Sequence, residues 1–319
     1  MNPNLSSNLI ALRGKFLFTL RKFFALKNYL EIDTPKLKKV PGMEPFLSPF
    51  TVVSPDGQEK GYLVTSPEYS LKQVLSLGIP KIYEICSVYR SGERGGIHTA
   101  EFLMLEFYEI GIDEFQLMQI CMELFDFLNQ EFRDVGYHVE MVQKFSILSL
   151  FQKYLSISDS RSDLESFLIK KYPQKKMEFQ SLRYDELFFL VFLNEIEPNL
   201  QNGIFFLYDY PAPLAALAKV ENGRARRFEI YWNGVELGNA FYECNSPDIL
   251  RERFQEEQLI RKSLGKEVFE LDTHFFSALD RGIKDASGIA MGLDRLLMVF
   301  LGHTNLKFLS PYYGSLTGE

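Results

Sequence analysis

The stretch VYRSGERGGIHTAEFLMLEFYEI, residues 88–110, decides the fold. Residues 81–90 and 100–110 alternate in the manner of half-buried strands, and the glycine-rich loop between them predicts a long hairpin. Glu106 and Tyr108 lie on one otherwise apolar face of the second strand. A carboxylate and a phenol on such a face are costly unless they are paired. The face is therefore a candidate site, although a structural Arg–Glu pair within the sheet is the competing explanation.

A second hairpin is predicted downstream. Residues 226–232 and 235–243 read as strands, and they flank Asn233-Gly234, the strongest short-range hairpin signal. This turn places Tyr231 opposite Glu236, the first acidic residue of the second strand.

That hairpin brings acidic side chains together. Glu229 and Glu236 share one face, where two acids repel unless a cation lies between them; a solvated outer face is the alternative. Asn239 and Glu243 stand at odd offsets from Glu236 and would point to the other face of a regular strand. We predict a β-bulge at Gly238 that returns them to the same side.

Helices are expected around the two hairpins. An apolar stripe over residues 9–23 and the pattern at 113–133 are helical, and residues 145–203 read as a small helical insertion. The run SGIAMGLDRLLMVFLG, residues 287–302, passes from a strand into a helix. Strands joined as hairpins with grouped helices predict an α+β fold with an antiparallel sheet, not a doubly wound parallel one.

Composition excludes several classes of protein. The chain has 319 residues, a net charge of −7 and three cysteines without metal-ligand spacing. We therefore expect no bulk attraction to nucleic acid and no disulfide framework. No signal peptide or membrane-spanning apolar run is found, which predicts a cytoplasmic protein. Two basic clusters are candidate contacts for an acidic partner, with ordinary solvated surface as the alternative: Lys36, Lys38 and Lys39, and Arg224, Arg226 and Arg227.

Several positions favour the binding of phosphate or substrate. Arg295 stands at the start of the last helix, where an arginine beside a helix N-terminus concentrates positive charge; a cap or surface ion pair is the alternative. His98 lies on the long loop. The segment TSPEYSLK predicts a helix with Ser66 as its N-cap and Pro67 and Glu68 in the first turn. Because no glycine-rich phosphate cradle is present, side chains would have to grip a nucleotide.

Together these segments resemble the motifs of class II aminoacyl-tRNA synthetases, specifically their lysyl branch. FFALKNYLEIDTP, with Pro35, is similar to motif 1, which forms a dimer interface, and residues 88–109 are similar to motif 2. GIAMGLDRLLMVF is similar to motif 3, VELGNAFYECN to the acidic hairpin, and TSPEYSLK to the amino-acid-binding segment. The matches run in the right order over about residues 15–305.

The resemblance narrows to one paralogous family. Lysyl-tRNA synthetases carry an anticodon-binding domain before motif 1, and we expect none here, but a single catalytic domain over residues 1–319. A free-standing core of this kind is similar to the elongation factor P lysine ligases. Ala290 stands where lysyl synthetases have glycine, as it does in those ligases. The resemblance implies an ATP-dependent ligase that activates (R)-β-lysine, or lysine, and transfers it to a lysine side chain of elongation factor P. It also implies a homodimer through motif 1, with neither tRNA nor a membrane as partner.

Site roles follow from the same resemblance. Arg90 would bind the α-phosphate and the substrate carboxylate, and Arg295 the γ-phosphate, as the catalytic residues. Glu229 and Glu236 would hold Mg²⁺. Phe102 would stack on adenine. The other ATP-binding positions implied are Ser91, Gly92, Glu93, His98, Thr99, Glu236, Leu237 and Gly292. The substrate-binding positions implied are Ser66, Glu68, Glu106, Tyr108, Asn239, Glu243 and Ala290.

Three departures from the family pattern are visible. Glu93 arrives one position late after the motif 2 arginine, Thr99 replaces an asparagine, and Ala240 replaces a glycine. Three other functions compete with the protein ligase. They are a lysyl-tRNA synthetase-like enzyme that charges tRNA, an inactive paralogue acting as a binding module, and a small-molecule amide synthetase.

Overall fold

The computed structural model describes residues 6–134 and 141–314. The helices are α1 (Ser7–Leu26), α2 (Glu68–Leu75), α3 (Glu114–Glu131), α4 (Ile147–Leu155), α5 (Arg161–Lys171), α6 (Lys176–Ser181), α7 (Tyr184–Val191), α8 (Pro247–Ser263), α9 (Thr273–Arg281) and α10 (Leu293–Phe300). The strands are β1 (Leu30–Glu31), β2 (Leu37–Lys38), β3 (Thr51–Val53), β4 (Lys60–Leu63), β5 (Lys81–Tyr89), β6 (Glu101–Ile110), β7 (Val142–Ser146), β8 (Ile204–Pro211), β9 (Val220–Glu221), β10 (Arg224–Trp232), β11 (Val235–Tyr242) and β12 (Ala286–Gly292). In these two ranges, no helix combines the length and the apolar character needed to cross a bilayer.

The chain divides into two compact units. Unit 1 comprises residues 1–138 and 243–319, and unit 2 comprises residues 139–242. In unit 1 the strand order is β1-β5-β6-β12, antiparallel except for β1 beside β5, and β2-β4-β3 form a small second sheet. The predicted α+β fold, with a mainly antiparallel sheet between helices, is confirmed. The single domain over the whole chain stays a prediction.

Unit 2 combines a sheet with the α-helices α4 to α7. Its strand order is β11-β10-β8-β7, with β9 also pairing with β10, and β7 and β8 run parallel. Helices α4 to α7 fill much of the segment for which the sequence predicts a helical insertion. They pack on the sheet through an aromatic core that includes Phe151, Phe188 and Phe192. Strands β7 and β8, at the two ends of that segment, were not predicted, because its mixed periodicity hides them.

Helix α1 covers one face of the sheet in unit 1. Ser6 caps it by accepting a hydrogen bond from the backbone N–H of Leu9. From its last turns Phe24 packs against the sheet, with its ring centre 4.5 Å from that of Tyr83 and 5.0 Å from that of Phe107. The apolar stripe predicted for this helix therefore faces the core, which leaves the opposite face of the hairpin to the site.

One buried carboxylate joins three elements of unit 1. Asp294 in α10 accepts a hydrogen bond of 2.8 Å from the backbone N–H of Leu103 in β6 and one of 2.9 Å from Arg13 in α1. The ion pair is largely removed from water, so loss of either partner would leave an uncompensated charge. This contact fixes the last helix against the first hairpin.

A close approach between neighbouring strands predicts a packing-sensitive position. A Cβ atom on Gly288 would lie 2.2 Å from ring carbons of Tyr108. Gly288→Ala must move the ring or the strand, and we expect a loss of about 1–3 kcal/mol of unfolding free energy. Urea denaturation measures it. As the control, Gly14→Ala in α1 adds a Cβ that meets nothing within 4 Å and should be neutral or stabilising by up to about 1 kcal/mol. Equal losses in the two variants would contradict the packing argument.

Candidate active site

The face of the first hairpin that α1 leaves uncovered carries the predicted site side chains. In the register of β5 and β6, Glu84 lies opposite Glu106 and Val88 lies opposite Phe102. The predicted placement of Glu106 and Tyr108 on one face is confirmed by the hydrogen bond between them, and Phe102 packs beside Met104 in a small apolar cluster. A strand rises about 3.3 Å per residue, so about 13 Å separates Phe102 from Glu106 along this face.

Glu106 is buried and held by two hydroxyl groups. Ser66 Oγ donates to its Oε2 at 2.7 Å, and Tyr108 Oη donates to its Oε1 at 2.6 Å. The competing explanation of an Arg–Glu pair within the sheet is therefore wrong for Glu106. Burial, reinforced by the negative charge of Glu68, raises the pKa of Glu106 to about 8, while the two hydroxyls and Lys72 oppose the rise.

Helix α2 supplies a second acid and a buried ammonium group. The helix begins at Glu68, and Pro67 rather than Ser66 occupies its cap position, so the predicted cap is wrong. Ser66 Oγ nevertheless accepts a hydrogen bond of 3.1 Å from the N–H of Glu68. One turn later Lys72 Nζ lies 2.6 Å from Glu68 Oε1 and 2.6 Å from Glu243 Oε2.

Glu243 completes a cluster of three acids, of which Glu106 and Glu243 are buried and Glu68 is partly buried. Its backbone N–H donates to the carbonyl of Ala286 at 2.9 Å, which fixes the residue beside β12. Its side chain is only 3% exposed, and its Oε1 has no hydrogen-bond partner among the described residues. Burial and the charge of Glu68 raise the pKa of Glu243 against the opposing effect of Lys72. A buried carboxylate oxygen without a partner is costly, and a ligand's ammonium group would satisfy it.

Sequence reasoning missed Lys72. Glu68 and Lys72 are spaced i, i+4, which on an exposed helix is an ordinary surface ion pair. Only the tertiary structure shows that this pair is buried and shared with Glu243. The spacing was the one available signal, and it could not distinguish an exposed surface ion pair from a pair that is shared with Glu243 in the interior.

A basic region lies at the loop end of the same hairpin. The guanidinium of Arg90 lies 5.1 Å from the ring centre of Phe102, and its Nη1 is 3.7 Å from Glu93. Arg295 Nε donates to the carbonyl of Ile97 at 3.1 Å. Burial, followed by the positive charges of Arg295 and Arg90, lowers the pKa of His98. The predicted phosphate-binding side chains therefore act on one another electrostatically within unit 1.

Backbone geometry holds the loop between the two strands. Ser91 donates its N–H to the carbonyl of Ser48 at 2.6 Å. Gly92 has a φ of +86°, which favours glycine at this departure from the family pattern. Thr99 is buried, and its Oγ1 donates to the carbonyl of Glu101 at 2.7 Å. Thr99 thus braces the loop through its hydroxyl.

Strand β12 pairs with β6 and extends the same face of the sheet. Ala290 is opposite Glu106 in the register, and its half-buried methyl group packs beside the Phe102 cluster. Gly292 ends the strand and occupies the cap position of α10, without a side chain to cap it. The predicted positions in this strand therefore border the acids and Phe102.

The second hairpin in unit 2 contains the predicted bulge. Asn233 and Gly234 have φ values of +49° and +77°, as a tight two-residue hairpin turn requires. Tyr231 pairs with Glu236 as predicted, but the next pair along β10 is Ile230 with Gly238. The extra residue is therefore Leu237, one position before the predicted glycine.

The bulge brings Asn239 opposite Glu229, where both engage an arginine. Arg227 Nη2 donates to Glu229 Oε1 at 2.5 Å and to Asn239 Oδ1 at 2.9 Å. Tyr210 and Tyr231 donate their hydroxyls to the other Glu229 oxygen at 2.6 Å and 3.1 Å. Three of the roughly four lone pairs of this carboxylate are therefore occupied by protein donors.

This arrangement does not fit the predicted magnesium site. A Mg²⁺ ion at Glu229 would find only one of the carboxylate's lone pairs open, and the guanidinium of Arg227 would repel it. Across the described ranges, no three His, Cys, Asp or Glu side chains are grouped so that they could hold a metal ion. We therefore derive no chemical step through a metal, and Mg²⁺ at Glu229 and Glu236 stays a prediction.

Most of the basic residues proposed as docking contacts are already paired. The ion pairs are Lys36 with Glu84, Lys38 with Asp272, Arg224 with Asp159, Arg226 with Glu221, and Arg227 with Glu229. A side chain committed to an internal acid offers little net attraction to an acidic partner. These ion pairs therefore argue against the clusters as docking contacts, although the buried Arg227 is not ordinary solvated surface either.

Comparisons with known proteins agree on one family. The family model described as tRNA synthetases class II (D, K and N) matches residues 1–313. The chain is 34% identical over 315 residues to an "Elongation factor P--(R)-beta-lysine ligase" of Avibacterium paragallinarum, covering 96% of this chain and 95% of the relative. It is 33% identical over 306 residues to a protein of the same name from Edwardsiella ictaluri (strain 93-146), covering 92% and 91%. A third, from Buchnera aphidicola subsp. Schizaphis graminum (strain Sg), is 30% identical over 315 residues, covering 95% of each.

The buried acids predict how stability depends on pH. Because the pKa of Glu106 is raised from 4.5 in the unfolded chain to about 8 in the folded one, its contribution to stability is fully present below pH 4.5 and is lost as the pH rises towards 8. Glu106→Gln should raise the melting temperature at pH 8.5 relative to the original chain, but not at pH 5.5. Each kcal/mol corresponds to about 2–4 °C.

The control for this measurement is Glu123→Gln. The ion pair with Lys27 keeps the pKa of Glu123 below its usual value, so this change should leave the pH dependence above pH 5.5 unaltered. Parallel melting curves for Glu106→Gln and the original chain across that range would contradict the assignment.

Proposed function

This chain belongs to the class II tRNA synthetase family of the D, K and N type, and we propose on that premise that it activates a lysine-type amino acid with ATP. We further propose that the activated (R)-β-lysine, or lysine, is transferred to a lysine side chain of elongation factor P. The names of the relatives support the acceptor and the β-isomer. The proposal includes a cytoplasmic location.

The observation that carries the proposal is the group of buried acids in unit 1. Lys72 contacts Glu68 and Glu243 directly, and Glu68 and Lys72 act on Glu106 electrostatically. A buried negative charge is stable only with a partner. The unpartnered Oε1 of Glu243 supports the binding of a ligand that carries ammonium groups, which is the chemistry of a diamino acid.

The hairpin face also supports an orientation for that ligand. Arg90 lies over Phe102, and about 13 Å along the strand separates Phe102 from Glu106. A lysine-type substrate would direct its carboxylate towards Arg90 and its distal ammonium towards Glu106. Ser66 and Tyr108 would contribute to substrate binding by holding Glu106 in place through their hydroxyl groups.

The proposed reaction has two steps. A substrate carboxylate oxygen attacks the α-phosphorus of ATP, the bond to the β-phosphate bridge breaks, and pyrophosphate leaves. The neutral amine of the acceptor lysine then attacks the acyl carbon, AMP leaves with the bonding electrons, and the amine loses a proton. Arg90 and Arg295 would offset the charge that develops on the phosphates, so that catalysis rests on positioning and electrostatics.

Two features of the site support the nucleotide end of this proposal. Phe102 offers a half-buried aromatic face, and the lowered pKa of His98 leaves a neutral imidazole that can donate to a phosphate near pH 7. Leu237 and Glu236 remain proposed nucleotide contacts. Gly292 would leave the floor beneath the nucleotide free of a side chain.

The first experiment is ATP–pyrophosphate exchange with (R)-β-lysine, α-lysine and no amino acid, followed by the intact mass of added elongation factor P. We expect exchange that is stimulated most by β-lysine, and a mass gain of one lysyl unit on the factor. Exchange with α-lysine and label on tRNA would instead favour a tRNA-charging enzyme. Absence of exchange would favour an inactive paralogue.

Arginine variants test the assigned roles in the same assay. Arg90→Ala and Arg295→Ala should each lower exchange by about 10²–10³-fold, the cost of removing one preorganised donor from a developing charge. The control is Arg251→Ala, since Arg251 forms an exposed ion pair with Asp280 and should leave exchange unchanged. Equal activity in all three variants would contradict the roles.

We also propose a homodimer through the segment similar to motif 1. Phe18, Leu26 and Leu30 expose 68%, 65% and 51% of their surface, and we propose that a partner subunit covers these large apolar side chains.

The dimer is tested by analytical ultracentrifugation. Phe18→Asp should shift the mass from a dimer to a monomer, because a carboxylate buried at an apolar interface is costly. As the control, Met177→Asp changes a residue of α6 that is 79% exposed and should leave the mass unaltered. A monomeric original chain would contradict the proposal.

A further inference from the structure

Lys72 is a buried cation that the proposed reaction does not use directly. Only 3% of its surface is exposed, and its Nζ bridges Glu68 in α2 and Glu243 after β11, at 2.6 Å from each. Burial lowers the pKa of Lys72, but the charges of Glu243 and Glu68 outweigh burial and leave that pKa above its ordinary value. The group therefore stays an ammonium ion and holds two acids from distant parts of the chain.

The bridge uses one oxygen of each acid. Glu243 binds Lys72 through Oε2, while its Oε1 remains buried without a partner among the described residues. A neutral side chain at position 72 could not hold both carboxylates at this spacing, because like charges repel at short range. Lys72 thus orients an acid whose other oxygen is available to a ligand.

The acids around the bridge outnumber the ammonium group. Glu68, Glu106 and Glu243 carry three negative charges when ionised, and Lys72 carries one positive charge, which leaves −2. Glu84, next to Glu106 across the strands, is already paired with Lys36. Other titratable groups that act on the cluster are the phenol of Tyr108 and the acids Glu44 and Glu257, and these two acids also face Arg90, Arg253 and Arg261.

We infer that Lys72 is a positioning residue that clamps Glu68 and Glu243 and sets the charge of the pocket to match an amino acid with two ammonium groups. This inference rests on the proposed function and deepens it. An α-amino acid with an apolar side chain would neutralise only half of the surplus. A diamino acid, with its carboxylate directed to Arg90, would neutralise all of it.

The test compares Lys72→Met and Lys72→Arg with the original chain in ATP–pyrophosphate exchange from pH 6 to 9. For Lys72→Met we expect the KM for the diamino acid to rise at least tenfold and the KM for ATP to stay within twofold. The acidic limb of kcat/KM should move to higher pH, because the acids lose the ammonium that favours their ionised form. Lys72→Arg should keep the original limb.

Lys171→Met is the matched control, since Lys171 forms an exposed ion pair with Glu195 in unit 2. A Lys72→Met enzyme with the KM and acidic limb of the original chain would overturn the inference. So would parallel rises in both KM values with an unmoved limb, which a purely structural role predicts. If no diamino acid stimulated exchange by the original chain, that result would contradict the proposed function itself.

A measurement on the original chain keeps the inference testable if Lys72→Met does not fold. We expect 1,5-diaminopentane to inhibit exchange at least tenfold more strongly than 1-aminopentane, because only the diamine supplies two ammonium groups. Norleucine should support exchange at least 100-fold less well than the diamino acid. Equal inhibition by the two amines would overturn the assigned charge of the pocket.

Discussion

The register of β5, β6 and β12 is the constraint on which the site in unit 1 depends. Because side chains alternate along a strand, a slip by one residue would send Glu106 to the face covered by α1 and replace it with an apolar neighbour. The contact between Gly288 and Tyr108 fixes β12 against β6 at one point. The hydrogen bond from Leu103 to Asp294 fixes the following helix at another. The positions of the acids thus follow from packing on both sides of the sheet.

The same packing makes the ionised acids of the site energetically unfavourable when no ligand is bound. Burial raises the pKa of Glu106 and of Glu243, which means that the folded chain resists the charged form that a cationic substrate requires. Lys72 reduces this cost without removing it. A protein selected for stability alone would fill such a place with apolar side chains. The retained surplus of negative charge is therefore understandable as a property of binding.

Local patterns predicted the strands and the faces, because alternation in β5 and β6 is strong and glycines mark the loop. The Asn233-Gly234 turn fixed the second hairpin, and an offset argument found its bulge to within one residue. Strand β8 escaped prediction because it is largely buried and does not alternate, and β7 because its short run of mixed apolar and polar residues does not alternate either. Lys72 escaped for another reason: its spacing from Glu68 is common on exposed helices, and its burial depends on Glu243, 171 positions away.

Glu229 also shows the difference between what the sequence pattern indicates and what tertiary contacts determine. From the sequence, two acids on one face of the hairpin favoured a cation between them, with a solvated outer face as the alternative, and the family resemblance implied a metal ion. The fold supplies a different cation, since Arg227 lies on the same strand two residues earlier and donates to Glu229 itself. Residues at i and i+2 share a face, so this pairing was available to sequence reasoning. Both arrangements satisfy the same electrostatic requirement. Arg227, Tyr210 and Tyr231 all donate to Glu229 here, and a metal ion at Glu229 and Glu236 stays a prediction.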